Sequence, residues 1–155
     1  MLAALRGVNP FDPRTVFLAK HAQHVVLVHF PIALFIAAAV FDLVHGLTKR
    51  HEFADAAYYN LTGAAIAVLP VVVTGVLAWR FQLEGEKIKG VLALHMVLAA
   101  ASSALILVVW RRRLNVRKSA RVPGWSDYAV EVIAVAAITV TAHVGGFLSG
   151  VNGPG

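Results

Sequence analysis

Residues 24–46 read HVVLVHFPIALFIAAAVFDLVHG. As a helix this run is long enough to cross the roughly 30 Å of bilayer hydrocarbon, which takes about 20 residues. Its ionisable groups are three histidines and Asp42. Three more runs of similar length and greasiness follow, near 59–80, 89–110 and 127–149. Composition agrees: of 155 residues, 59% are hydrophobic and 14% charged, against about half and a quarter in a soluble domain. The expectation is one all-α domain, an integral membrane four-helix bundle running up-down-up-down, with the lipid bilayer as its first partner. Residues 1–23, with Pro10 and Pro13, read as an N-terminal arm; their apolar stretch is too broken for a secretory signal. Residues 150–155 read as a glycine-rich flexible tail.

Charged or turn-prone stretches separate the spans: TKRHEFAD, FQLEGEKIKG and RRRLNVRKSARVPGWSD. Trp79, Trp110 and Trp125 fall at span ends, where aromatic belts form. Ser126 and Asp127 suit the N-cap and first turn of the fourth helix. Pro31 and Pro70 lie inside spans as kinks. No internal repeat stands out. The third connection carries Arg111, Arg112, Arg113, Arg117, Lys118 and Arg121, so the positive-inside rule puts it in the cytoplasm. Both termini then face the outer, non-cytoplasmic side. The net charge of +6 reflects basic loops against anionic lipid, not nucleic acid. With no cysteine, disulfides, thiolate metal sites and covalent haem attachment are excluded.

Alternation of the spans groups the histidines. His24 and His29 on the first span, His95 on the third and His143 on the fourth share one end of the bundle, whichever way it is inserted. Ionisable groups inside a membrane are costly and mark sites or cavities; interhelical hydrogen bonding is the plainer alternative. Imidazole ligates haem iron and transition metals. His24 and His29 stand about 140° apart around a helix and cannot easily serve one small ion. A haem takes one axial nitrogen on each side, which suits facing helices better than a zinc site needing three or four converging ligands. His29 with His95 is the preferred pair, at matching depth on two spans. His24 and His143 form a second pair or orient the first, and the haem count is one or two. Gly145 and Gly146 remove side chains beside His143, and Arg80 suits a haem propionate.

The run His24-Val-Val-Leu-Val-His29-Phe30-Pro31-Ile32-Ala33-Leu34, followed by Phe41-Asp42-Leu43, resembles the opening of a bacterial four-span family catalogued as domain of unknown function 2231. Thr141-Ala142-His143-Val144-Gly145-Gly146 resembles its closing stretch, with Ala142 where a glycine is usual. Thr74-Gly75 and Trp79 look like its second-helix pattern. The resemblance covers residues 24–149 and marks His24, His29 and His143 as motif histidines. Its relatives joined to Rieske or cytochrome c modules imply respiratory electron transfer.

The resulting expectation is a b-type haem membrane protein passing electrons between a quinone or membrane partner and a periplasmic acceptor, such as a cytochrome or Rieske protein. It would stand alone or serve as a subunit of a respiratory or photosynthetic complex. The alternatives are a cofactor-free structural accessory subunit and a copper or zinc protein. Asp42 and Glu131 suit a proton path or quinone site, or more simply pairing with Lys49, Arg50 or Arg121. Ser102 and Ser103 read as hydroxyls bonding within or between helices. No P-loop, HExxH or dinucleotide fingerprint is present among the 155 residues, so nucleotide-driven and hydrolytic chemistry have no local support.

Overall fold

The computed structural model describes residues 22–81, 85 and 87–149. The expected tail and all but the last two residues of the expected arm lie outside them. The chain forms α1 (Ala22–Leu27), α2 (His29–Thr48), α3 (His51–Phe81), α4 (Gly90–Lys118) and α5 (Trp125–Leu148). Four helical segments are long and apolar enough to span a membrane: Gln23–Thr48, His51–Phe81, Gly90–Lys118 and Trp125–Leu148. Only 11–22% of each apolar window is buried within the bundle. The rest presents Val, Leu, Ile and Phe outward on every span, a surface that suits lipid and not water.

The first span loses a helical hydrogen bond where Pro31 requires it. Proline's ring collides with the carbonyl four residues back and supplies no N–H to it. That residue is Leu27, at which α1 ends; Val28 keeps helical dihedrals, φ −60° and ψ −26°, so the backbone runs on into α2. Two helices outrun the expected spans. The connection after Thr48 is only Lys49 and Arg50, Lys49 being left-handed at φ 59°, so α3 starts at His51 and not near the expected Tyr59. α4 runs beyond Trp110 to Lys118, taking Arg111–Lys118 into the helix. Trp110, expected at a span end, is half-buried: it packs against the core and donates to Thr62 Oγ1 at 3.3 Å. The cap of α5 is Gly124, not Ser126; the Asp127 carboxylate reaches back to accept from the Gly124 N–H at 2.9 Å, which satisfies an orphan donor.

α2 packs along α3 and α4 along α5, and contacts between α3 and α4 and between α2 and α5 close the ring. The two hairpins repeat each other, which the sequence alone does not reveal. One constant offset along the chain carries the buried positions Pro31, Phe35, Ala38 and Asp42 onto the buried positions Ser102, Ile106, Val109 and Arg113. A nearly identical offset carries Ala57, Leu61, Ala64 and Val68 onto Asp127, Glu131, Ala134 and Ile138, again all buried. Two parallel hairpins in like register face each other about an axis along the bundle, as in membrane proteins built from parallel repeats. The match is one of burial more than of identity, so it escapes a reading by residue type.

Candidate functional site

The repeat places two histidines in equivalent positions: the offset that relates α2 to α4 also carries His24 onto His95. Each ring rests on a glycine of its own hairpin's second helix. A Cβ on Gly75 would stand 3.0 Å from His24 Cε1, and one on Gly145 would stand 3.1 Å from His95 Cε1. Any larger residue at either place would push the ring away. Gly75 and Gly145 are themselves equivalent, related by the offset that carries α3 onto α5.

Hydrogen bonding favours one tautomer of His24. Its Nδ1 lies 3.2 Å from Thr74 Oγ1. The Thr74 hydroxyl donates to the Pro70 carbonyl at 2.8 Å, within reach of the Val71 carbonyl as well. A hydroxyl has one proton to give, so toward His24 it accepts. Nδ1 therefore carries the proton, and the lone pair is on Nε2. The His95 ring lies against the Thr141 backbone carbonyl, and its Nδ1 is buried with no hydrogen-bond partner among the described residues. The two rings, on diagonally placed α1 and α4, are within electrostatic reach of each other.

The other expected site residues take different places. His29 is exposed, with Nδ1 2.6 Å from the carbonyl of Val25 on its own chain segment. His24 is the ring within electrostatic reach of His95, which bears on the expected pairing of His29 with His95. The angular offset between the two histidines turns His24, and not His29, onto α3. His143 is exposed and meets Phe147 edge-on at 5.1 Å; Gly145 serves His95 rather than His143. Gly146 is half-buried, and Arg80 lies over the Phe81 ring at 6.0 Å.

Buried side chains are unevenly distributed along the bundle. Among the described residues, none of 23–30, 69–81 or 87–101 is buried, and Val144 is the one buried residue of α5 beyond Ile138. The core cluster, from Phe35 through Ile106 to Val68 and Ile138, stops short of the histidine end. A Ser102–Thr141 hydroxyl pair at 2.7 Å marks its edge.

The opposite end holds a buried ion cluster. Arg113 Nη2 donates to Asp42 Oδ2 and, at 3.2 Å, to Glu131 Oε2. The three side chains are 8%, 2% and 4% exposed. The Arg113 guanidinium also lies 5.6 Å above the Tyr128 ring. This corrects the expected partners of the two acids: Arg50 pairs with Glu52, and Arg121 joins Arg112 on Asp127. In the sequence Arg113 looks like one loop cation among six. The signal that singles it out is spacing: it follows His95 at the same interval by which Asp42 follows His24. That interval is about five whole helical turns, so each pair shares a face.

No curated protein and no solved structure matches the chain. A family described as "Predicted membrane protein (DUF2231)" matches residues 20–153. With four membrane-length apolar helices and a match over nearly its whole length, the chain belongs to the DUF2231 family of predicted membrane proteins.

Proposed function

We propose that the protein holds a b-type haem between His24 and His95 at the histidine end of the bundle and serves in membrane electron transfer. The observation carrying this reading is the equivalent pair of rings on diagonal helices, one with its Nε2 lone pair assigned by hydrogen bonding. Ligating histidines typically give their other N–H to a hydroxyl or carbonyl, which fixes ring and tautomer. Thr74 is placed to do this for His24; beside His95 lies the Thr141 backbone, with His95 Nδ1 buried and without a partner among the described residues. Two nitrogens suit two axial positions, whereas zinc asks for three or four ligands. Bound there, the haem would supply one-electron chemistry. Gly75 and Gly145 set the ring positions, Arg80 suits a propionate at the interface, and small residues such as Gly146 leave room.

The electron would pass between a quinone or membrane partner and an acceptor at the histidine end, a periplasmic cytochrome or Rieske protein if the arginine end is cytoplasmic. The test is the visible spectrum of the purified full chain in detergent. A Soret band that sharpens and shifts on dithionite reduction is expected. His24→Ala and His95→Ala should each abolish low-spin absorption, and His29→Ala should retain it. A colourless, assembled preparation overturns the reading. A second reading, a cofactor-free accessory subunit, draws on the helix-to-helix hydrogen bonds His24–Thr74 and Ser102–Thr141. Metal content by mass spectrometry separates it from a copper or zinc protein.

A further inference from the structure

We propose that Asp42 and Glu131 together hold one exchangeable proton against Arg113, making the arginine end of the bundle a proton-binding site within the membrane. Two carboxylates face one guanidinium, and all three side chains are at least nine-tenths buried. Arginine stays charged in proteins, so the cluster without an added proton carries an uncompensated negative charge. Burying such a charge is far costlier than neutralising it. One proton makes the cluster neutral.

Geometry says where that proton sits. A single nitrogen, Arg113 Nη2, serves both acids. The Asp42 and Glu131 carboxyls are within hydrogen-bonding reach of each other, and Glu131 Oε1 is buried without a partner among the described residues. A protonated carboxyl donates to its neighbour, and two ionised ones repel. The repeat makes the same point. Asp42 and Arg113 are equivalents and neutralise each other, whereas the equivalent of Glu131 is Leu61, which brings no matching cation. α2 adds His45, which acts on Asp42, and α5 adds Tyr128. From α3, Asp55 is taken by Arg117. His45 bonds the Arg50 carbonyl in the connecting turn at 2.9 Å and acts on Asp42 only through space.

The proton site is independent of any haem at the other end. Infrared spectra of the full chain in nanodiscs, in H2O and D2O at neutral pH, test it. A carbonyl-stretch band of one protonated carboxylic acid, shifting in D2O, is expected. Glu131→Gln and Asp42→Asn should each remove it, because Arg113 then matches the one remaining carboxylate. Arg113→Gln should strengthen it about twofold, both acids being driven to protonate as a coupled pair. A silent wild-type spectrum, or a band that survives both amide substitutions, overturns the proposal. So does a band lost on adding sodium chloride and not potassium chloride, which would make the ligand a sodium ion.

Discussion

One hydroxyl proton governs the histidine end. Thr74 gives its O–H to the Pro70 carbonyl and so fixes the His24 tautomer. Thr74→Val keeps the shape and removes the acceptor. The expected cost is about 1 kcal/mol of stability, with mixed His24 tautomers in place of the Nδ1–H form, read by nitrogen-15 NMR of labelled histidine. Gly75 acts by absence of a side chain. In Gly75→Ala the new Cβ meets the far edge of a ring and not backbone, so the ring yields first. Thermal unfolding should shift by less than about 1.5 kcal/mol, while the His24 ring signals move. A loss of folding with unmoved His24 signals would contradict this seat for the ring.

At the scale of elements, Pro31 decides where the first span loses a helical hydrogen bond, and so where α1 can bend against α2. Pro31→Ala restores an N–H that can bond the Leu27 carbonyl. The expected result is a regular hydrogen-bond ladder from α1 into α2, seen as new amide-exchange protection at residue 31; the Val28 amide already bonds the His24 carbonyl at 3.0 Å. His24 then swings off Thr74, and its fixed tautomer is lost. A kink at Pro31 is legible in the sequence, but its consequence is not. Depth in the membrane pairs His29 with His95, and depth does not report rotation about a helix axis. The length of α4 is hidden as well, because hydropathy falls at Arg111 while the helix continues. There the arginines stay helical because acids on neighbouring elements receive them: Asp127 for Arg112, Asp42 and Glu131 for Arg113, and Asp55 for Arg117.

For the whole molecule, the buried cluster joins the two hairpins, since Asp42 lies in the first and Arg113 and Glu131 in the second. Removing one partner of a buried ion pair costs about 3–5 kcal/mol, whereas replacing the whole set by apolar side chains is often neutral or better. Arg113→Leu should therefore lower the unfolding midpoint steeply. The triple variant Arg113→Leu, Asp42→Leu, Glu131→Leu should recover most of the loss in the same thermal scan. Equal destabilisation in both would mean that the cluster holds the hairpins together by net attraction. The repeat gives the bundle two distinct ends on one axis: a histidine pair where the core stops, and a charged cluster at the opposite end.

What the sequence determined by itself is the number of spans, their alternation and the end at which the histidines gather. Those depend on segment length, apolar content and direction, and each can be read from one segment at a time. The tertiary structure decided which histidine turns onto α3, which arginine is buried, and that the hairpins repeat. The reason is the solvent. In water a helix marks its inner face by an apolar stripe. In a bilayer, lipid-facing and core-facing residues are equally apolar, as the exposed Val, Leu and Ile on every span display. Rotation about each axis is then set by close packing and a few polar bonds between helices, here Thr74 with His24, Ser102 with Thr141, and Arg113 with two acids.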